Sequence, residues 1–250
     1  MVAGALVGGT GKQPDGSAKT REVKLGCVCT QHVLDEEGRP VRDRASTTYL
    51  CGLETAADFG TRLRQEALRR GMGQSRRTVL LGDGAAWIWE LGRVNFAHAL
   101  EILDYYHGRE HLTDLVHGLE AQGTASAQRL MDRWESWLWA GEIERLIQTA
   151  QRRVQSLSPS PRAERENELK YFEKNRQRMR YGEFRKLGLF IGSGVVEAGC
   201  KTVIGRRVKQ SGMKWTEPGL LNVLHTRCTL LGGQFDDCWA RRTPAHLDFA

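Results

Sequence analysis

The stretch Gly188–Gly219 reads GLFIGSGVVEAGCKTVIGRRVKQSGMKWTEPG. It opens with a short apolar run, and a Gly-Ser-Gly turn follows in which Ser193 is a favourable helix N-cap. The apolar residues that then recur at helical spacing are Val196, Cys200 and Val203. This spacing predicts a helix over about 194–210.

Glu197 lies in the first turns of this helix and is the only acid between Phe190 and Trp215. The cations that follow it are Lys201, Arg206, Arg207, Lys209 and Lys214. A lone carboxylate beside so many cations favours a site where an acid holds a metal ion and bases hold phosphates. On spacing alone, the alternative is an amphipathic surface helix in which Glu197 has no special role.

The segment GSGVVEAGCKTVIGRRVKQSGMKW resembles the signature near the end of transposases of the ISKra-type insertion-sequence family. Those proteins are Mutator-like enzymes of the DDE type with an RNase H-like core. Three more blocks agree with the family in the same order: Arg21–Gly26, Val79–Trp89 and Ile102–Leu112. The resemblance therefore extends over about Gly11 to Trp239 and rests on four ordered blocks.

The resemblance implies metal-dependent DNA cleavage and strand transfer in insertion-sequence transposition. Its cofactor would be Mg²⁺ or Mn²⁺ at a two-metal site held by carboxylates from different elements. Its partners would be double-stranded DNA, namely the terminal inverted repeats and the target, and the family leaves association into a homo-oligomer open. The net charge of +7 agrees with a polyanionic partner, although charge alone is weak evidence.

The resemblance also implies the site residues. Asp83 matches the family's second catalytic Asp and Glu197 its final Glu, so both are expected to be catalytic and to hold metal. Without the resemblance, Asp83 between Gly82 and Gly84 is more typical of an ordinary Asp-Gly turn. Asp104 and His107 look like the Asp-x-x-His motif, whose implied role is to shape the site or contact DNA rather than hold metal. The expected DNA contacts are Lys201, Arg206, Arg207, Lys209, Lys214 and Trp215, with core packing as the alternative for the tryptophan.

The order of elements predicts an α/β fold. Strand patterns at 22–30, 47–53, 77–81 and 99–103 precede about 70 residues of helical pattern that begin near His111. The resemblance refines this to an RNase H-like mixed sheet with an all-α insertion before the last catalytic helix. The expected units are an irregular N-terminal remnant (1–20), the first part of the core (21–110), the helical insertion (111–187), the helix with the final Glu and basic run (188–231), and a tail (232–250).

The family's first catalytic Asp belongs to a Val-Asp-Gly-Thr-Gly-like segment on the central strand of the sheet. The nearest match here is Val7–Gly11, with Gly8 where the Asp is expected. Alternatively, Gly11–Gly16 aligns with a later loop and the first strand lies upstream of Met1. Both alignments leave no matching carboxylate, since Asp15 belongs to a Pro-Asp-Gly turn. The resemblance therefore predicts a truncated or decayed transposase copy without cleavage activity.

Composition excludes some classes of protein. The chain has 250 residues, 40% of them hydrophobic, but no apolar run approaches the roughly 18 residues that span a bilayer. The six cysteines form no Cys-x-x-Cys pair, which argues against a zinc ribbon and favours a reducing compartment. We therefore expect a cytoplasmic protein.

Two rival functions remain open. One is a non-catalytic, DNA-binding remnant of a transposase. The other is a zinc hydrolase, because His107, Glu110 and His111 satisfy the inverted His-x-x-Glu-His motif and the two histidines would share a helix face. Its third ligand would have to come from downstream, with Glu183 a candidate by position only.

Overall fold

The computed structural model describes residues 1–12, 18–43, 45–192, 194–210 and 213–242, which form a mixed α/β fold. The strands are β1 (Val2–Lys12), β2 (Ala18–Val28), β3 (Val33–Leu34), β4 (Pro40–Val41), β5 (Thr48–Gly52), β6 (Val79–Gly82) and β7 (Leu100–Leu103). Five of them form one sheet in the order β5-β2-β1-β6-β7, and β3 and β4 form a separate small hairpin.

Eleven α-helices lie in the described residues. They are α1 (Ala56–Arg69), α2 (Ala86–Asn95), α3 (Tyr105–His117), α4 (Ala125–Ala140), α5 (Ile143–Gln155), α6 (Pro159–Asn175), α7 (Tyr181–Lys186), α8 (Gly194–Gly199), α9 (Arg206–Val208), α10 (Glu217–Leu231) and α11 (Phe235–Arg242). A π-helical segment, Cys200–Gly205, joins α8 to α9, and short 3₁₀ turns occupy Met72–Gln74 and Arg176–Met179. Among the helices described, none combines the length and apolar character needed to cross a membrane.

The directions of the strands determine where the loops emerge. β2 runs antiparallel to both β1 and β5, whereas β1, β6 and β7 are parallel to one another. In the register of β6 and β7, Gly82 pairs with Leu103, so both strands end at the same level. Asp83 and Asp104 directly follow these two residues. The two residues therefore lie next to each other at the carboxyl ends of β6 and β7, which is where α/β proteins usually place their binding and catalytic sites.

The N-terminal segment differs from the expectation of an irregular remnant over 1–20. It contains the whole of β1, which lies at the centre of the sheet, and β2 begins at Ala18. β1 pairs with β2 from Val2 to Gly8 but meets β6 only through Val2 and Gly82. The glycine-rich sequence has weak strand propensity, and the pairing with β2 overrides it by satisfying the backbone hydrogen bonds. Asp15 lies outside the described residues.

Two apolar cores enclose the sheet, one on each face. Val23, Leu25 and Cys27 of β2 pack with the side chains of α8, α10 and the π-helical segment. Gly26 faces the other way, since a Cβ there would lie 2.7 Å from Leu63 of α1. The larger core extends from α1 and α2 through α3–α7 and includes the fully buried Trp134. The sheet is thus the central layer of the fold, with helices packed on both of its faces.

The helical expectations agree with the structure. α3–α7 account for the predicted run of helix, although it begins at Tyr105 rather than His111. The predicted helix over 194–210 is present as α8, the π-helical segment and α9, while its expected N-cap, Ser193, lies outside the described residues. All six cysteines are free thiols in the structure.

Candidate functional site

Asp83 sits on a tight turn at the end of β6. Its Oδ1 accepts a hydrogen bond from the backbone N–H of Ala85 at 3.1 Å. Gly84 follows with a φ of 99°, a conformation that residues with a side chain rarely adopt. A Cβ at Gly84 would also lie 2.9 Å from the side chains of Leu103 and Tyr171. The turn that presents Asp83 therefore requires glycine for two reasons, conformation and space.

Asp104 follows β7 and is completely buried. Its Oδ1 caps α3 by accepting the backbone N–H of His107 at 2.9 Å, and the imidazole Nδ1 of His107 lies 3.3 Å from the same oxygen. The backbone N–H of Asp104 donates to the carbonyl of Gly82 at 2.8 Å. The carboxylate and the imidazole are thus fixed together at the start of α3.

Glu197 reaches this pair from the first turn of α8. One ligand atom from each of Asp104, His107 and Glu197 lies within 4.8 Å of the other two. Asp104 is buried, His107 half-buried and Glu197 exposed. The loop before α8 is tied to the site, because the backbone N–H of Tyr105 donates to the carbonyl of Ile191 at 2.8 Å. Two helices, α3 with its N-cap and α8, therefore bring three ligand atoms close enough together to hold a metal ion.

The composition of this group determines which ion it fits. Carboxylate oxygens suit Mg²⁺ and Mn²⁺, whereas imidazole suits transition metals, and Mg²⁺ usually keeps an all-oxygen shell. Two carboxylates with one imidazole therefore fit Mn²⁺ better than Mg²⁺. The opening of the group to solvent on the side of Glu197 gives an ion a route of entry.

The predicted ligands and the observed group overlap only in part. The group contains Glu197, as the resemblance implies, but its other members are Asp104 and His107, and Asp83 is not among them. For these two residues the resemblance implies a role in shaping the site or contacting DNA, not in holding metal. Their spacing of three at a helix start gave a signal that they share a face, but nothing local indicated contact with Glu197.

Asp83 nevertheless acts on the group electrostatically. The pKa of His107 is raised, chiefly by its hydrogen bond to Asp104, and the carboxylates of Glu110 and Asp83 add to the effect. Burial raises the pKa of Cys200 to about 11, and Asp83 and Glu197 contribute to that rise. Asp83 therefore adds negative charge near both His107 and Cys200.

The pKa of His107 gives a first testable prediction. We expect its imidazole to titrate above the ordinary histidine value, and Asp104→Asn to lower that pKa while keeping an acceptor for the α3 cap. Since the folded-state pKa is raised, this contact stabilises the fold at low pH and loses its contribution as the pH rises through that pKa. An NMR titration of the imidazole measures the pKa directly. An unchanged pKa in Asp104→Asn would show that the carboxylate is not its main cause.

The basic run begins one turn beyond Glu197 and continues past the end of α9. Its members are Lys201, Arg206, Arg207, Lys209 and Lys214, all exposed. None of them makes an ion pair within the described part of the chain, whereas sixteen such pairs occur elsewhere in it. A row of cations without internal counter-ions is available to an external polyanion.

Trp215 and Arg227 serve the fold of this region. The indole N–H of Trp215 donates to the carbonyl of Val208 at 3.1 Å, and its ring packs partly against the core behind α8. This favours core packing over base stacking. Arg227 of α10 donates to the carbonyls of Val203 and Thr202, which lie in the π-helical turn. Since a π-turn departs from the usual i→i−4 bonding, these contacts help to hold it.

The inverted zinc-hydrolase motif is split by the structure. His107 faces Asp104 and Glu197, whereas the Nδ1 of His111 lies 2.9 Å from Glu168 on α6. Within the described residues, the metal-sized group includes none of Glu110, His111 and Glu183.

Comparison of the chain with protein-family models gives no match, and comparison with curated proteins gives none either.

Proposed function

We propose that this chain is a DNA transposase of the DDE type, of the ISKra-type insertion-sequence family, with an RNase H-like core. The observation that carries the proposal is the meeting of Glu197 with Asp104 and His107 at the carboxyl edge of two parallel strands. Exposed cations begin one turn beyond Glu197 and continue past the end of α9. A carboxylate site next to a phosphate-binding surface is the arrangement that metal-dependent chemistry on DNA needs.

The topology supports the RNase H-like part of the proposal. In such a sheet the first strand is central, and β1 is central here. In this family an all-α insertion precedes the helix with the final Glu, and α3–α7 lie between β7 and α8. Both features agree with the ordered sequence blocks.

In this proposal some residues of the chain would hold a metal ion and others would bind DNA. Asp104, His107 and Glu197 would hold a divalent cation, and Asp83 would add negative charge nearby. Bound there, the cation supplies Lewis-acid activation of a phosphodiester and its attacking nucleophile. The basic run would orient the DNA backbone against this edge.

Cleavage activity is the subject of the second prediction. The family that this chain resembles takes one metal-holding carboxylate from the central strand, and β1 contains neither Asp nor Glu. We therefore expect no cleavage of transposon ends by this chain with either Mg²⁺ or Mn²⁺. Gly8→Asp should not restore cleavage, because Gly8 lies about 20 Å along β1 from the residue that pairs with Gly82, at the usual rise per strand residue.

A graft tests the same prediction from the other side. Replacing the residues ahead of Gly11 with a complete family N-terminus should give metal-dependent cleavage of labelled terminal-repeat DNA, and Glu197→Gln in the graft should abolish it. A graft that binds DNA but never cleaves it would support the alternative, a DNA-binding module without catalysis. Cleavage by the unmodified chain would show that another acid supplies the missing carboxylate.

A further inference from the structure

Tyr171 brings a hydroxyl from the helical insertion to the carboxylate edge. It lies on α6, and its ring stacks on His111 of α3 with centroids 3.5 Å apart and planes inclined by 24°. His111 is itself held by Glu168, one turn earlier on α6. The aromatic ring is therefore fixed from two helices, and the direction of its hydroxyl is fixed with it.

The hydroxyl of Tyr171 ends beside the turn that presents Asp83. A Cβ at Gly84 would lie 2.9 Å from the Tyr171 oxygen, so this oxygen abuts the turn. The oxygen is shielded from solvent and has no hydrogen-bond partner among the residues that the structure describes. A buried hydroxyl in that state destabilises a fold, and phenylalanine would fill the same space without this cost.

The surroundings of the hydroxyl are acidic. The pKa of Tyr171 is raised, first by burial and then by Asp83, Asp104, Glu168 and Glu110, in that order. The phenol therefore keeps its proton at neutral pH. A protonated donor fixed among carboxylates can donate to whichever carboxylate turns toward it.

We propose that Tyr171 is a positioning residue of the candidate metal site, whose hydroxyl donates a hydrogen bond to the Asp83 carboxylate when a divalent cation draws that carboxylate into the group. This inference rests on the proposed function, and it assigns α6 a role in that site. In the structure the Asp83 Oδ1 accepts from Ala85, which leaves the second carboxylate oxygen to receive the phenol. Groups that orient metal ligands in this way typically change affinity by about 10- to 100-fold.

The test measures Mn²⁺ binding to the full chain by titration calorimetry and thermal unfolding without metal. Tyr171→Phe should weaken Mn²⁺ binding about 10-fold, yet raise Tm by about 2–4 °C. Asp83→Asn should weaken binding by at least as much, and the double variant should match Asp83→Asn alone, because Tyr171 acts through Asp83. Tyr105→Phe is the matched control, since its hydroxyl donates to Glu135 at 3.2 Å. It should lower Tm slightly and leave Mn²⁺ affinity unchanged.

The outcomes separate this inference from the proposed function. If Asp83→Asn weakens Mn²⁺ binding and Tyr171→Phe does not, the role of Tyr171 is overturned and the metal site stands. If the effects of the two single variants add in the double variant, Tyr171 does not act through Asp83 and the inference also fails. If neither Asp83→Asn nor Glu197→Gln changes Mn²⁺ binding, the proposed metal site itself is overturned.

Discussion

Glu197→Gln should weaken the binding of Mn²⁺ by at least about 100-fold, because it removes a direct ligand and outer-shell changes alone cost 10- to 100-fold. Glu197 is the exposed member of the group with Asp104 and His107, whose ligand atoms lie within 4.8 Å of one another. Glutamine keeps the length of the side chain but removes the negative charge, and an amide oxygen is a weaker ligand for a divalent cation. Calorimetric or EPR titration with Mn²⁺ measures the loss.

Glu110→Gln is the matched control for this experiment. Glu110 lies in the same region and raises the pKa of His107, but it is not a member of the group. The same chemical change there should alter Mn²⁺ affinity far less than at Glu197. Equal effects of the two substitutions would mean that only the general acidity of the edge attracts the ion, and the assignment of Glu197 as a ligand would be wrong.

Arg206→Ala combined with Arg207→Ala should reduce the salt dependence of DNA binding by about two units of slope. Each arginine is exposed and has no ion pair in the described residues, so each is free to neutralise one phosphate. Because the slope counts displaced counter-ions, the loss should appear with any duplex sequence. Filter-binding titrations at several salt concentrations measure it.

The control for this experiment removes two positive charges from arginines outside the basic run. Arg69 and Arg93 are each paired with a glutamate three residues earlier in their helices. Arg69→Ala combined with Arg93→Ala should leave the slope unchanged, because these charges are already neutralised within the chain. If this control lowers the slope as much as the double change at Arg206 and Arg207, the DNA surface lies elsewhere.

Local signals predicted most of the helices and strands. Thr55 is a residue type favoured as a helix N-cap, and its hydroxyl accepts the backbone N–H of Asp58 at the start of α1. The short apolar run before Asp83 forms β6 as expected. Such features depend on hydrogen bonds and side-chain periodicity within a few residues, and the sequence displays both directly.

The N-terminal strand shows where local signals fail. Its glycine-rich sequence carries little β-propensity, yet β1 occupies the centre of the sheet. Pairing with β2 determines this position, and β-propensity is always subordinate to such pairing. The missing central carboxylate was visible in the sequence, but the distance of Gly8 from the edge follows only from the strand register.

The sequence by itself determined the α/β class, the helical run after β7 and the exposed basic run, because composition and periodicity encode these properties locally. Only the tertiary structure decided that Glu197 meets Asp104 and His107, and that Tyr171 reaches the turn of Asp83. The parallel register of β6 and β7, the packing of α8 on β1 and β2, and the packing of α6 on α3 create these contacts. Contacts between residues so far apart in the chain depend on how whole elements pack, and no window of sequence specifies that packing.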